Sequence, residues 1–266
     1  MANIDITKPL LECLKQFKGA PEGDTVKIRE NALEEDLVLL AKKLLYGGYL
    51  MVGKQYRIDI QLVEFYYHEE KKNVENGIYD YIVYHRNGRY PGESVPPFPI
   101  MSIHAHTSGY DITFEDPDGK YRASALIRAF TVKDCYTNKY IRWNPKDKGV
   151  GIIDKSDEPL YDDRSQNLYF FLNGFEVNGN GNQIKWEPKE ITANDPLPIY
   201  RGHRKNVFKQ DENGIKIVDG NVSLDDKEWA FSKSKKTEIR HSRSKTKDSN
   251  SFSRKERYGI EHGEFI

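Results

Sequence analysis

Disulfides, metal clusters and membrane spans are the features this chain is least equipped to form. It carries two cysteines, Cys13 and Cys135, in 266 residues. So far apart, they offer neither a disulfide framework nor a metal-ligand spacing, and a reduced, cytoplasmic setting is expected. No apolar run is long enough to cross a bilayer, and the N-terminus lacks the basic-then-apolar order of a secretion signal, so no membrane partner is expected. Excess charge of either sign is missing as well: 41 Lys and Arg face 41 Asp and Glu. Composition therefore predicts no nucleic-acid partner; only the distribution of charge can do so. No internal repeat and no clear linker is evident.

Charge is in fact unevenly placed. Between residues 232 and 258 lie Lys233, Lys235, Lys236, Arg240, Arg243, Lys245, Lys247, Arg254, Lys255 and Arg257, against Glu238, Asp248 and Glu256. The stretch is rich in Ser and Thr and poor in large apolar residues, so it cannot bury enough surface to fold firmly alone, and it attracts phosphate non-specifically. Residues 232–266 are expected to be a flexible basic tail after a single folded unit spanning 1–231.

Within that unit, periodicity predicts a first helix over residues 5–16, ended by Gly19 and the turn at 21–23. A second helix is expected to start near Asn31 or Ala32, with Leu33, Leu37, Leu40, Leu44 and Leu45 on one face and Gly47-Gly48 as its stop. Residues 49–52 and 58–67 read as a hairpin around Gly53-Lys54. A short strand is expected at 81–84 inside an irregular stretch. Residues 100–106, 110–114 and 121–130 read as further strands, the last two joined by the turn Asp116-Pro117-Asp118-Gly119. Residues 168–175 suit a helix or a buried strand equally. The expected class is one mixed α and β domain.

Three segments carry a family likeness. The first is "LAKKLLYGGYLMV" followed by "YRIDIQLVEFYYH", a Leu-rich helix stopped by glycines and a strand bearing the unit Glu64-Phe65-Tyr66. The second is "GYDITFEDPDGKYRASALIRAF", paired strands ending in Leu126-Ile127-Arg128-Ala129. The third, weaker, is "IYRGHRKN" with Arg201. Their order and spacing resemble the alkyladenine (methylpurine) DNA glycosylases. The resemblance implies an α+β domain whose curved, mainly antiparallel sheet is flanked by helices. It also implies a monomeric, monofunctional DNA glycosylase that uses no metal, cofactor or Schiff-base lysine and is nucleoid-associated if bacterial. The sequence departs from the family pattern where Glu64 and His85 are spread apart, where "PIMSIHAHTS" replaces an aromatic-rich segment, and in residues 207–228, which look inserted.

The chemistry such an enzyme needs can be set against the residues. Breaking the bond between a base and the sugar C1′ develops positive charge on the sugar, and a carboxylate beside it can stabilise that charge and activate water. Glu64 ends an apolar run and is the candidate. Arg128 ends the apolar strand Ala125-Leu126-Ile127, where a charge is costly unless paired, and is the candidate partner. Tyr66 shares Glu64's strand face because it lies two residues on. The resemblance adds His85, Tyr110 and Asp111 as base-pocket residues, Asp111 standing where the family has Asn. It adds the backbone of Gly202 as a holder of the attacking water. Expected DNA contacts are Arg86, Arg89, Arg201, Lys235 and Lys236. The altered pocket favours a modified base, possible in foreign DNA, over a simple alkylated purine. Two other readings stay open: a catalytically idle relative that binds modified bases, and an unrelated metal-dependent enzyme using His104 and His106, which share a strand face.

Overall fold

Thr25 caps the longer of two helices, its hydroxyl accepting from the Ile28 amide at 3.3 Å. The computed structural model describes residues 4–70, 76–89, 92, 94–106, 109–144, 149–152, 160–161, 171–172, 176–177, 183–192, 194–204, 218–219, 221–222, 227–233, 237–240, 255–258 and 264–265. Helix α1 is Leu10–Gln16 and α2 is Val26–Tyr46. Both begin elsewhere than periodicity predicts. Residues 5–8 form a turn closed on the Asp5 carboxylate, and Pro9 starts the helix by disfavouring helical geometry at the residue before it. In α2 the extra N-terminal turn has little apolar pattern. It is held by the cap and by Arg29, whose guanidinium pairs with Glu69 at 2.5 Å and reaches the Asn76 carbonyl at 2.6 Å. Leu33, Leu37, Leu40, Ala41 and Leu44 form the buried stripe, and Gly47 ends the helix by donating to the Lys43 carbonyl at 2.8 Å.

The strands are β1 Gly48–Val52, β2 Tyr56–Glu69, β3 Ile103–His106, β4 Gly109–Thr113, β5 Tyr121–Asp134 and β6 Lys139–Asn144. After these come β7 Gly149–Ile152, β8 Leu160–Tyr161, β9 Glu176–Val177, β10 Gln183–Pro188 and β11 Tyr200–Gly202. The remainder are β12 Val218–Asp219, β13 Asn221–Val222, β14 Ala230–Ser232, β15 Thr237–Arg240, β16 Lys255–Tyr258 and β17 Glu264–Phe265. The result is a mixed α and β fold with a curled, mainly antiparallel half-barrel sheet and two helices. Its path runs β17-β11-β14-β2-β1-β10-β9, and β5 branches from β2 to carry β4, β6 and β8. Among the described residues beyond 231, Ser232 is buried in β14, β15 pairs with β16, and Glu264–Phe265 joins β11. Residues 81–84 form turns, not the expected strand, because their side chains cap the sheet instead of joining its edge. Of residues 168–175 only Phe171 and Leu172 are described; they are helical and buried. Among the described residues no helix is long and apolar enough to cross a membrane.

The β2–β5 ladder sets which side chains go where. Ile58 and Ile60 pair with Val132 and Phe130, and all four enter the core against the helices. Between Ile60 and Val63 the register slips twice: Gln61 on β2 and then Arg128 on β5 have no partner in the ladder. Beyond these two bulges the core-facing residues are Val63, Phe65 and Tyr67, opposite Ile127, Ala125 and Ala123. The core face thus changes from even to odd numbers along β2 without the sheet turning over. Glu64, Tyr66 and His68 all project from the other face.

The core is knit at Phe17, whose ring meets Phe114, Tyr121 and Tyr67 edge-on at centroid distances of 5.0, 5.4 and 6.1 Å. Phe17→Ala is expected to lower the unfolding free energy by about 3–5 kcal/mol. The check is a lower urea midpoint at unchanged denaturant slope.

Candidate functional site

Strands buried on one face only would be expected to carry solvent-exposed polar residues on the other. Here the second face is polar and buried too. Glu64, His68, Asp111, Thr113, Glu115, Arg122, Ser124 and Ser232 are all buried. Residues 78–89 and 94–98 pack against them, contributing Asp80, His85 and Arg86, which are buried as well.

At the centre of this layer Glu64 has no exposed surface. Arg128 Nε donates to its Oε2 at 2.7 Å, and the Tyr66 hydroxyl donates to the same oxygen at 3.0 Å. The bulge brings the arginine there: a residue left out of the ladder can re-aim its side chain along the sheet, and Arg128 turns toward Glu64. Burial, and next the neighbouring Glu64 charge, push the Tyr66 phenol well above its ordinary pKa, although Arg128 and Arg204 pull it back. Tyr66 therefore stays a donor across the physiological range. Its ring lies 4.7 Å from the Arg204 guanidinium, which also packs 5.4 Å from Trp229. Arg204 is fixed by Asp80 at 2.5 Å and by the Phe65 carbonyl at 3.1 Å.

Cross-strand pairing extends the site sideways. His104 pairs with Asp111, Asp111 with Leu126, Leu126 with Glu64, Glu64 with Ala230, and Ala230 with Gly202. Directly paired residues share a face, so His104, Asp111 and Glu64 form one row on the polar side. His104 stacks on Tyr84 at 5.5 Å and packs against Phe98 at 4.3 Å. Tyr84 and Phe98 also flank His85, at 4.7 and 5.6 Å. His85 Nδ1 contacts Glu115 Oε1 closely; Glu115 pairs in turn with Arg122 at 2.9 Å, and Arg122 with Glu70 at 2.6 Å. Burial, and then the Asp111 and Glu115 charges, raise the Tyr84 phenol far above its ordinary pKa.

The structure therefore brings Glu64, Arg128 and Tyr66 together, leaves Asp111 in the same row two strands from Glu64, and sets His85 in an adjoining buried cluster. Tyr110 is a correction. It pairs with Ile127 and belongs to the core, on the face away from Glu64, because its odd-even phase is opposite to that of Asp111. Gly202 lies in Glu64's row but two strands away, about 10 Å across the sheet. Arg86 is 4 % exposed and donates to the Tyr81 carbonyl, so it faces the interior. Arg89 is half-buried. Arg201 pairs with Glu34 at 2.9 Å and Glu228 at 3.6 Å. Lys235 and Lys236 lie outside the described residues, as does the side chain of His106. Among the described residues no three His, Cys, Asp or Glu side chains group as a metal site. An apolar cavity of about 460 Å³, lined by Leu10, Leu50, Ile103, Ile112 and Trp186 among others, holds none of these groups.

Reading the sequence misses Asp80, Arg204, Glu115 and Arg122. The signal for Glu115 and Arg122 is present as polar residues at every second position: Glu64, Tyr66, His68 and Glu70 on and just beyond β2, Asp111, Thr113 and Glu115 on and just beyond β4, Arg122 and Ser124 on β5. That pattern does not distinguish a wet face from a buried polar one. No protein-family model, no curated protein and no solved structure matches the chain.

His68 provides a check on the layer's burial. Burial first, then Arg86, holds its imidazole down to about 4 from an ordinary 6.5. The unfolded chain takes up this proton first, so the stability due to His68 is complete above pH 6.5 and is lost as pH falls toward 4. The loss is on the order of 3 kcal/mol. Urea unfolding at pH 7.5 and 4.5 measures it, and His68→Phe is expected to shrink the difference.

Proposed function

We propose that the chain is a monofunctional DNA glycosylase that hydrolyses the N-glycosidic bond of a flipped, modified base. The observation that carries the reading is the Glu64–Arg128 pair with Tyr66 on the same carboxylate oxygen. A buried carboxylate held by an arginine, on a face where polar groups sit among Leu126 and Ala230, suits water attack at a sugar carbon. Water adds to C1′ and gives its proton to Glu64; the bond from C1′ to the base nitrogen breaks, and its electron pair leaves with the base. Arg128 holds the carboxylate in place, and the negative charge of Glu64 stabilises the cationic sugar before attack.

A base in a duplex must leave the stack to be cut. It would stack on the Tyr66 face opposite Arg204, with Asp111 reading its edge. A carboxylate there selects bases that present hydrogen-bond donors. His85 Nδ1 lies against Glu115 Oε1, and neither of its ring nitrogens makes a hydrogen bond to the described residues. In this reading a ring nitrogen of His85 meets the base or its leaving proton. Glu64 is buried, so a nucleotide reaches it only if neighbouring side chains move.

The same burial favours a second reading, a catalytically idle protein that binds modified bases, since a largely buried ion pair can be structural. One experiment separates the two. DNA carrying alkylated, deaminated or hypermodified bases is incubated with the protein and chelator, then tested for abasic sites cleaved by hot alkali. The glycosylase reading expects base release that survives chelator and falls at least about 100-fold in Glu64→Gln. No release from any substrate, with DNA binding intact, overturns it in favour of the second reading. Arg128→Met is expected both to reduce release and to cost about 3–5 kcal/mol in urea unfolding, since it strands the Glu64 charge.

A further inference from the structure

The polar face continues past the two bulges, and there its character changes. Lys185 on β10 pairs with Met51 on β1, Met51 with Arg57 on β2, Arg57 with Lys133 on β5, and Lys133 with Tyr140 on β6. One cross-strand row thus holds three cations, and Arg57 sits directly opposite Lys133. Like charges directly opposite one another are unfavourable in a sheet. Lys189 joins them, its ammonium 3.0 Å from Asp59, which also takes Arg57 at 2.7 Å. Among the described residues, Asp59 and Glu187, the partner of Tyr49, are the carboxylates on this part of the face. The cations outnumber them in a chain whose net charge is zero.

The groups are accessible. The Lys189 and Arg57 side chains are 39 % and 31 % exposed, and Lys185 is exposed. Aromatic rings alternate with the charges: Arg57 lies 4.3 Å over Tyr49, and Lys133 lies 5.9 Å from Tyr140. Nearby, at the end of β14, Lys233 is held down to about 8, by burial first and then in part by the charges of Lys189 and Arg57.

We propose that the surface formed by Lys133, Arg57, Lys185 and Lys189, with Tyr49 and Tyr140 between them, binds the sugar–phosphate backbone of DNA beside the Glu64 site. The proposal rests on the glycosylase reading for the identity of the polyanion. Arg57 and Glu64 share β2 and the same sheet face, about 20 Å apart along the strand. That span is about six nucleotides of one duplex strand, so DNA with a base at Glu64 lays its flanking phosphates on this row. Interleaved cations and partly exposed rings are the combination that grips a backbone without reading its sequence.

Salt dependence tests it. Fluorescently labelled, unmodified duplex DNA is titrated with the protein across a range of salt concentrations. The compared proteins are wild type, the triple variant Lys133→Gln/Lys185→Gln/Lys189→Gln, and a control, Lys15→Gln/Lys18→Gln/Lys27→Gln, with the same change in charge on exposed helix-side positions. The face variant is expected to bind about 10–100-fold more weakly at low salt and to lose about 2–3 from the slope of log K against log salt. The control is expected to stay within about twofold of wild type. Equal weakening in both variants, an unchanged slope in the face variant, or no DNA binding by wild type overturns the proposal. Base release is scored separately. DNA binding lost through the face variant, without base release by wild type, removes the glycosylase reading and leaves this surface standing. Base release with an unchanged slope does the reverse.

Discussion

Between Ile60 and Val63 each of the two central strands carries one residue that pairing does not use, Gln61 on β2 and Arg128 on β5. A period-2 strand with eleven residues from Ile58 to His68 cannot otherwise keep both Ile58 and Phe65 in the core. The paired bulges reconcile them. They keep one apolar face continuous along the strand, and they bring Arg128 out of the ladder beside Glu64. Core packing and the candidate site therefore depend on the same irregularity.

The buried polar layer then has to satisfy itself. Carboxylates and guanidiniums taken out of water are costly, and they are tolerated here because each described pair has close geometry: Glu64 with Arg128, Asp80 with Arg204, Glu115 and Glu70 with Arg122. Arginine suits the task, since one planar fork can hold a carboxylate and a carbonyl or ring at once, as Arg204 does with Asp80, Phe65 and Tyr66. Such a layer contributes less to stability than an apolar one would. What it provides is a set of fixed orientations, above all for the Glu64 carboxylate and the His85 imidazole.

How far the sequence could be read follows from what each signal averages over. Leucine spacing locates α2 after Leu33 but not its first turn, which depends on one cap and on Arg29 reaching Glu69 from 40 positions away. Glu64 and Arg128 are legible as charges at the ends of apolar runs, where only pairing makes burial tolerable, and the structure pairs them. Tyr110 is misplaced because a likeness of motifs fixes neighbourhood along the chain but not phase across a sheet. Asp80 and Arg204 give no local sign at all, since each sits in an irregular segment and they are distant in sequence. The row of Lys185, Arg57 and Lys133 is equally silent, because three single lysines and arginines become a patch only once strand register is known.

Arg128 lies outside the β2–β5 register, and that position bears on how such a site can arise. Were Gln61 and Arg128 both absent, every remaining pair from Ile60 with Phe130 to Val63 with Ile127 would stack as a regular ladder, with each side chain still on its present face. A single-codon insertion in each strand is all that separates the two sheets. A cation can in this way be added to a sheet while every other side chain keeps its face, with Glu64 as the carboxylate it pairs.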